Sequence, residues 1–274
     1  MSTDDALDAP PTADDLERLA IELAEGAAAV VRDSPHARLA VSAKSTDTDL
    51  VTQVDQATER WLVERLGKWR PDDAILGEEG GGRAGTSGVR WLLDPIDGTV
   101  NFVLGIPLYA VSVAAEVNGV VVAGAVANPV SGETFHARLG GGAHLGAVRL
   151  AGPRDVPLAR AVVATGFGYD AAMRARQVAA VAPMLPQIGD VRRLGAASLD
   201  LCFLGAGRLD AYFEAGLNPW DHAAGGLVAT EAGCVTSGLR GRPPSGRLYA
   251  AAGTALAPAF FALLESVDAD SVSS

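Results

Sequence analysis

The sequence predicts a layered α/β or α+β fold in which helices pack on β-sheets. Three observations predict it. Apolar residues recur at helical spacing near the N-terminus, β-rich runs follow in the middle, and strands alternate with helices after a proline-containing stretch at 153–157. The chain has 274 residues, 49% of them hydrophobic, so it can bury a large core within one catalytic unit.

Two amphipathic helices are predicted at the start of the chain. Leucine, valine and alanine residues at helical spacing predict the first over Asp14–Val31, and the second follows Thr52. Short strands are expected at 74–76 and 90–94, with a flexible glycine-rich loop at 80–88 between them. Residues 1–12 and 266–274 are expected to be disordered tails, which leaves 13–265 as the folded unit.

The middle of the chain predicts a β-sheet. The runs Tyr109–Val117 and Val120–Ala127 are joined by Asn118-Gly119, a strong indication of a hairpin, and a strand at 133–137 continues the sheet. Later strands are expected at 161–165, 209–213 and 248–252, and later helices at 171–185, 198–204, 221–232 and 258–264. This change of pattern predicts two lobes, residues 13–153 and 154–265.

Charge and cysteine content restrict the partners and the compartment. The net charge of −11 argues against nucleic acid or an anionic membrane as a partner. The two cysteines, Cys202 and Cys234, are far apart, which favours a reducing compartment. The acidic N-terminus lacks the features of a signal peptide, and no apolar run has the length of a membrane span. We therefore expect a soluble, cytoplasmic protein.

The most informative segment runs from Asp94 to Phe102 (DPIDGTVNF) and follows an apolar run typical of a buried strand. Pro95 has no N–H, so it is expected to end the strand, and Gly98 is expected to open a turn into a helix. Asp94 and Asp97 could simply brace that turn. However, two carboxylates beside the free N–H groups of a helix start also predict a site that binds a divalent metal and hydrolyses a phosphate ester.

Further acids occupy similar places, and each also has an ordinary structural interpretation. Glu78-Glu79 follows a predicted strand and fits a solvated turn. Asp221 opens a predicted helix and fits an N-cap, and Asp55 fits a capping box with Thr52. Lys44, one of two lysines in the chain, fits a surface position. No single residue decides between the two interpretations.

Taken together, these segments resemble the inositol monophosphatase family. The matching motifs are Asp49–Asp55 (DLVTQVD), Gly77–Glu79 (GEE), Trp91–Phe102 (WLLDPIDGTVNF) and Trp220–Gly233 (WDHAAGGLVATEAG), in the order of the family. Gly195–Ala197 and Tyr212–Glu214 match two weaker elements, and the resemblance covers roughly residues 15–265. The DPIDGT and WD motifs together are highly specific.

The resemblance implies a five-layered αβαβα sandwich of the sugar-phosphatase type, and a homodimer. It implies lithium-sensitive hydrolysis of a small phosphate monoester by water, with two or three Mg²⁺ ions as cofactors. The implied metal ligands are Glu78, Asp94, Asp97, Asp221 and the carbonyl of Ile96. Asp55, Thr99 and Glu78 are the implied catalytic residues, with Asp55 and Thr99 orienting and deprotonating the attacking water. The implied substrate contacts are Asp97, the backbone N–H groups of Gly98 and Thr99, the Ala197 backbone and Glu214.

Some positions are weaker candidates or depart from the family pattern. Lys44 and Glu79 are further candidates, and Arg192-Arg193 could contact a second anionic group or form a solvated pair. Ala196 stands where Ser or Thr is common, which weakens the expected substrate-side hydrogen bonds. Cys234 replaces a frequent second glycine, which concerns packing only.

One motif competes with this interpretation. Gly166–Ala171 (GFGYDA) matches the dinucleotide-binding pattern, with Asp190 about twenty residues further on, but Asp190 does not end an apolar strand. We interpret the motif as a substrate-side loop. The four histidines (His36, His136, His144 and His222) show no metal-binding spacing and are interpreted as structural or exposed.

The substrate is the open question. Motif similarity places inositol-1-phosphate first, and histidinol-phosphate and fructose-1,6-bisphosphate are alternatives, the latter if Arg192 or Arg193 faces the site. A nucleotide 3′-phosphate is disfavoured because only 5% of the residues are aromatic. Outside the enzymes, the alternative is a catalytically inactive protein that binds metal or phosphate.

Overall fold

The computed structural model describes residues 11–34, 41–43 and 50–271. Within these ranges the chain forms seven α-helices, which are α1 (Ala13–Asp33), α2 (Gln53–Trp69), α3 (Thr99–Leu104), α4 (Ala171–Val181), α5 (Ala197–Gly205), α6 (Pro219–Glu231) and α7 (Ala257–Ser266). No helix in these ranges has both the length and the apolar character needed to cross a membrane.

Fourteen strands in the same ranges form three sheets. They are β1 (Val41–Ala43), β2 (Leu50–Thr52), β3 (Ala74–Gly77), β4 (Val89–Asp97), β5 (Ala110–Val117), β6 (Val120–Ala127), β7 (Thr134–Arg138), β8 (Gly142–Leu145), β9 (Val148–Arg149), β10 (Val162–Thr165), β11 (Asp190–Arg192), β12 (Ala211–Glu214), β13 (Cys234–Ser237) and β14 (Tyr249–Gly253). Strands β3 to β9 form a seven-stranded sheet in sequence order, antiparallel except for β3 and β4. The five-stranded sheet has the mixed order β11-β10-β12-β14-β13, and β1 pairs with β2.

Four hydrophobic clusters stack these elements into five layers. Helices α1 and α2 cover one face of the seven-stranded sheet, and α5 and α6 cover its other face. The same α5 and α6 pack against one face of the five-stranded sheet, whose far face is covered by α4 and α7. The layer order is therefore αβαβα, which confirms the predicted fold class. The middle helical layer lies between the two sheets, where residues from both can meet.

Local interactions explain where several elements begin. Thr12 and Asp15 form a capping box at the start of α1, which satisfies two of the free N–H groups there. Asn118 and Gly119 have φ values of 51° and 85°, as the tight turn between β5 and β6 requires. The predicted hairpin is therefore present, with strands that differ from the expected ones by a single residue.

The structure corrects several expected boundaries. Strand β4 does not end at Pro95 but continues to Asp97, and the missing N–H is accommodated by a shift of the β4–β5 register between Asp94 and Asp97. Helix α4 ends at Val181 instead of residue 185, because prolines follow closely and a 3₁₀ turn at 185–187 replaces its last part. The edge strands β11 and β13 were not predicted, since both are short and rich in polar residues.

The C-terminal end of the fold also differs from the expectation. Residues 266–271 were expected to belong to a tail, but Ala269 and Asp270 are buried and Arg242 forms an ion pair with Asp270. Residues 1–10 and 272–274 of the expected tails lie outside the described residues. In the loop at 80–88, Arg83 forms a β-bridge with Ile75, which ties this segment to β3.

Candidate active site

A cavity of ≈ 460 Å³ lies where the two large sheets meet the middle helical layer. It collects the ends or beginnings of β3, β4, α3, α5, β12 and α6. Ten of the residues predicted for the site line it, namely Glu78, Asp94, Ile96, Asp97, Gly98, Thr99, Arg193, Ala197, Glu214 and Asp221. Residues separated by more than a hundred positions in the chain are therefore brought to one place.

The irregular end of β4 positions the first two acids. Oδ1 of Asp94 accepts a hydrogen bond from the backbone N–H of Ile96 at 3.1 Å, so Asp94 braces the turn as its ordinary interpretation predicted. The register shift after Asp94 allows both Asp94 and Asp97 to line the cavity, and both are buried. Gly98 follows with φ of 90°, which a side chain rarely adopts, and an added Cβ would lie 3.1 Å from the carbonyl oxygens of Leu108 and Gly195.

Asp97 is fixed by the first turn of α5. Its Oδ2 accepts from the backbone N–H of Ser198 at 2.7 Å and from the Ser198 hydroxyl at 2.5 Å. Its Oδ1 accepts from the N–H of Ala197 at 3.2 Å. Ser198 is fully buried, and this contact was not predicted, because no feature of the sequence relates it to Asp97 a hundred residues earlier.

Asp55 is fully buried and does not line the cavity, but it lies beside the lining residue Thr99. The Thr99 hydroxyl lies 3.1 Å from Oδ1 of Asp55 and 3.0 Å from the Ile96 carbonyl oxygen, so it can donate to either. The other carboxylate oxygen of Asp55 accepts from the backbone N–H of Thr52 at 2.9 Å and from the Thr52 hydroxyl. The capping box is therefore present, and Asp55 contacts Thr99 with its other carboxylate oxygen.

Asp221 also takes part in a capping box, but it is not the N-cap residue that the sequence predicted. Helix α6 begins at Pro219 and its N-cap is Asn218, so Asp221 is the third helical residue and not the N-cap. Its Oδ2 accepts from the Asn218 N–H at 2.6 Å, which completes a capping box. Because Asp221 also lines the cavity, the start of α6 carries a carboxylate to the acids of β4.

Burial and mutual repulsion disfavour the charged forms of these acids. Burial, followed by repulsion from Glu78, Asp97 and Asp221, raises the pKa of Asp94 well above its ordinary value. Burial raises the pKa of Asp97 to about 6, even though the hydrogen bonds from Ser198 act to lower it. The pKa of Asp221 is raised well above its usual range by burial and by Asp97. Such a cluster is stabilised by a cation that neutralises it.

Glu214, at the end of β12, also lines the cavity. Oε2 of Glu214 accepts from the Tyr212 hydroxyl at 2.9 Å, and burial raises the pKa of Glu214 to about 7. Gly166 leaves the space for this carboxylate, because a Cβ at position 166 would lie 1.9 Å from Oε1 of Glu214. Arg193 also lines the cavity, and its charge acts to lower the pKa of Glu214.

Two candidates, Glu79 and Arg192, do not line the cavity, and a third, Lys44, lies outside the described residues. Glu79 is not among the lining residues, and its N–H donates to Glu59, which also accepts from the N–H of Gly81 and so holds the turn after β3. Arg192 forms an ion pair with Asp190 at 2.6 Å, away from the lining. The role of Glu59 was missed by sequence analysis, because its partners are 20 and 22 positions away.

The GFGYDA motif contributes to the cavity wall. The lining residues Phe167, Gly168, Tyr169 and Asp170 follow β10, and Met173 of α4 lies beside them. This placement agrees with the interpretation as a substrate-side loop. Asp190 begins the edge strand β11 instead of ending an apolar strand, and it is paired with Arg192.

The sequence of the chain that forms this site matches a known protein family. A profile of the inositol monophosphatase family matches residues 12–269. The chain belongs to the inositol monophosphatase family. Inositol-1-monophosphatase of Mycobacterium leprae is 52% identical over 237 residues, which cover 82% of this chain and 81% of the relative. A protein named Nus factor SuhB, from Pasteurella multocida, is 41% identical over 78% of this chain and 82% of its own length.

Solved structures of inositol monophosphatase family proteins have the same fold. Mycobacterium tuberculosis SuhB superimposes with a TM-score of 0.79 at 41% identity, and covers 95% of this chain and 98% of its own. The Thermotoga maritima IMPase has a TM-score of 0.83 at 28% identity, and the match covers 93% of this chain and 98% of the IMPase chain. As a member of this family, the protein is a phosphoric monoester hydrolase of a metal-dependent type.

The donor atoms of this family member fit a hard divalent cation. The acids at the cavity and the carbonyl of Ile96 offer only oxygen atoms, and no histidine or cysteine of the part of the chain that the structure describes lines the cavity. Oxygen ligands suit Mg²⁺, whereas zinc sites are built from cysteine and histidine. The repulsion among Asp94, Asp97 and Asp221 is relieved by positive charge, which agrees with the metal dependence of the family.

Proposed function

We propose that this protein hydrolyses inositol-1-phosphate to inositol and phosphate with Mg²⁺ as the cofactor. The observation that carries the proposal is the meeting of Glu78, Asp94, Asp97 and Asp221 at one cavity that Glu214 also lines. The relative named for inositol-1-monophosphate hydrolysis is more similar to this chain than the one named Nus factor, at 52% against 41% identity. This ranking favours the enzymatic role.

The proposed metal ligands are Glu78, Asp94, Asp97, Asp221 and the Ile96 carbonyl. When bound there, Mg²⁺ supplies positive charge for the phosphoryl oxygens and lowers the pKa of the attacking water. Glu78 is partly exposed at the end of β3, whereas Asp94 and Asp97 are buried. The site therefore has an open side toward the cavity, where a phosphate group can enter.

Thr99 and Asp55 are proposed to take the proton from the attacking water. The Thr99 hydroxyl would accept it while its own proton moves to Oδ1 of Asp55, 3.1 Å away. Burial raises the pKa of Asp55, which makes its carboxylate a better base than an exposed one. The hydrogen bonds from Thr52 hold the other oxygen, so Oδ1 keeps its direction toward Thr99.

The remaining contacts are proposed for the phosphate and the alcohol. The N–H groups of Gly98 and Thr99, at the start of α3, would bind phosphate oxygens. Glu214 and the backbone of Ala197 would bind the hydroxyls of a polyol. Arg193 offers a positive charge for a second phosphate, so fructose-1,6-bisphosphate is the alternative that this residue supports.

An activity panel tests the substrate. Purified protein with Mg²⁺ is assayed for phosphate release from inositol-1-phosphate, histidinol-phosphate and fructose-1,6-bisphosphate. We expect the highest kcat/KM for inositol-1-phosphate, and a higher value for another compound would reassign the substrate. No turnover of any of them would favour a protein that binds metal or phosphate without catalysis. We also propose lithium inhibition, a homodimer and a cytoplasmic location, each of which is open to direct measurement.

A further inference from the structure

We propose a second metal site, separate from the carboxylate cavity, in which Glu17, His136 and His144 bind one late first-row divalent ion such as Zn²⁺. The three residues each offer one ligand atom, and these atoms all lie within 4.8 Å of one another. Two imidazole nitrogens and one carboxylate oxygen form a ligand set that zinc uses in proteins. Among the described residues no histidine lines the active-site cavity, so the ligand chemistry of the two sites differs.

The fold brings these residues together across three elements. His136 on β7 lies directly opposite His144 on β8 in the antiparallel register. Their rings are stacked, with centroids 5.3 Å apart and planes 16° apart. Glu17 comes from α1, which packs against the same strand, and it is 119 positions from His136. Sequence spacing therefore gave no indication of this cluster.

The two ring nitrogens of His136 have the contacts expected of a metal-binding histidine, one with a possible co-ligand and one with a backbone carbonyl. Its Nε2 lies 3.0 Å from the carbonyl oxygen of Gly146, and its Nδ1 lies 2.8 Å from Oε1 of Glu17. Metal-bound histidines usually donate the second ring N–H to such a carbonyl. A cation could replace the proton on Nδ1 of His136, and that proton would pass to solvent. The Glu17 carboxylate that accepts from Nδ1 would then bind the cation.

His144 and Glu17 are prepared for a cation in different ways. Nδ1 of His144 is buried and has no hydrogen-bond partner within the described part of the chain. Burial and the neighbouring His136 lower the pKa of His144, so its ring is neutral at pH 7 and keeps a free lone pair. Burial acts to raise the pKa of Glu17, but hydrogen bonds from His136 and Arg138 hold it below its ordinary value, which keeps the carboxylate charged.

The surrounding charges limit the affinity without removing the site. Arg138 donates to Oε2 of Glu17 at 2.7 Å, which leaves Oε1 for the metal. Arg149 lies opposite His144 in the β8–β9 register, and Asp14 lies 3.6 Å from Arg138. Two arginines oppose a cation, so we expect weaker binding than in a zinc site without positive neighbours. A bound ion would fasten α1 to the β7–β8 hairpin.

The competing interpretation is a plain ion-pair network that joins Glu17, His136 and Arg138. The two interpretations differ in what zinc does to the histidines. Strand β7 is three strands away from β4, which places the cluster about 15 Å from the acids of that strand. Excess Mg²⁺ can therefore occupy the oxygen site while zinc is titrated against the imidazoles.

The test is a zinc titration of the whole protein in excess Mg²⁺. The titration is monitored through the NMR signals of the histidine rings. One equivalent of Zn²⁺ is expected to shift the signals of His136 and His144 and to leave that of His222 in place. Calorimetry then compares His144→Phe, which keeps the ring stacking, with the control Arg149→Gln. We expect His144→Phe to weaken zinc binding at least about tenfold, since even an outer-shell partner is worth that much. Arg149→Gln should not weaken it.

Two results would overturn the site. The first is a titration that leaves the His136 and His144 signals unchanged, or that shifts only His222. The second is a His144→Phe protein that binds zinc as tightly as the unchanged chain. If that variant does not fold, the titration of the unchanged protein decides alone. Substrate turnover is not needed for either readout, so failure of the proposed phosphatase substrate would not affect the result.

Discussion

Two acids proposed for the site, Asp55 and Asp221, also cap helices. Asp55 completes the cap of α2 through Thr52 and accepts from Thr99, and Asp221 completes the cap of α6 while lining the cavity. A capped carboxylate has few rotamers left, because hydrogen bonds fix its direction. The same contacts that start the helices therefore aim these side chains.

Asp97→Asn tests the acid with the most hydrogen-bond donors directed at it. The amide removes a negative charge from the proposed metal ligands, so kcat/KM should fall at least about a hundredfold. The new NH₂ group faces the N–H of Ala197 if the amide carbonyl stays toward Ser198, which should cost about 1 kcal/mol, but the substitution also removes a buried charge that the neighbouring acids repel. Because the two effects oppose each other, the free energy of unfolding without metal should change little. Phosphate release and the free energy of unfolding are the two quantities measured.

The control for Asp97→Asn is Asp155→Asn, which removes a carboxylate from an exposed position. It should leave both quantities unchanged. An Asp97→Asn protein with nearly full activity would contradict the proposed role of Asp97.

Gly166→Ala tests the wall that carries Glu214. The added methyl group would collide with the Glu214 carboxylate, so we expect a raised KM for a polyol phosphate and a smaller change in kcat. Steady-state kinetics on inositol-1-phosphate separates the two constants. Gly82→Ala is the matched control, because its nearest contact would be a carbonyl oxygen at 3.8 Å. Unchanged KM in Gly166→Ala would remove Glu214 from the substrate contacts.

Among the elements, the pair α5 and α6 determines the geometry of the site. Ala197 and Ser198 at the start of α5 hold Asp97, and Asp221 comes from the start of α6. The two helices approach closely at Gly225, where a Cβ would lie 2.6 Å from the carbonyl oxygen of Ser198. The small residues of the WDHAAGG segment are therefore explained by packing in the middle layer.

Gly225→Ala should push α6 away from α5 and move Asp221 relative to Asp97. We expect a loss of about 1–3 kcal/mol in stability, which is typical of overpacking, and a higher Mg²⁺ concentration for half-maximal activity. Chemical denaturation and Mg²⁺ titration of the activity measure these effects. In Gly67→Ala, the same change within α2 meets only Nη1 of Arg83 at an ordinary contact distance of 3.5 Å and should stabilise the protein by about 0.5 kcal/mol. Equal behaviour of the two variants would contradict the tight α5–α6 contact.

For the whole molecule, the buried acids should make stability depend on pH and metal together. Raised pKa values mean that the folded state binds more protons than the unfolded state, so stability falls as pH rises. The fall should begin near the ordinary carboxyl values and continue through about 6 for Asp97 and about 7 for Glu214. Without metal, the melting temperature should therefore be lower at pH 8 than at pH 5.

Mg²⁺ should reduce that difference, because it binds the charged form of the acids and stabilises the folded state in which they meet. Melting curves at both pH values, with Mg²⁺ and with a chelator, provide the measurement. A melting temperature that does not respond to Mg²⁺ at pH 8 would contradict a metal site formed by this cluster.

Much of the fold was predictable because its evidence is local. Helices α1 and α2 follow from apolar spacing and capping boxes, and the β5–β6 hairpin follows from Asn118-Gly119. Edge strands β11 and β13 were missed, since their short polar sequences pair only because neighbouring strands are in place. Pro95 misled the prediction of where β4 ends, because a register shift can accommodate a proline without ending the strand.

The sequence by itself determined which acids are present, their order, and the caps and turns that direct them. These features depend on hydrogen bonds between residues a few positions apart, which any local segment can form. Only the tertiary structure decided that Ser198 holds Asp97, that Arg193 and not Arg192 reaches the cavity, and that Glu17 meets two histidines. Those contacts depend on how layers stack and strands register, and the burial of apolar faces across the whole chain sets both.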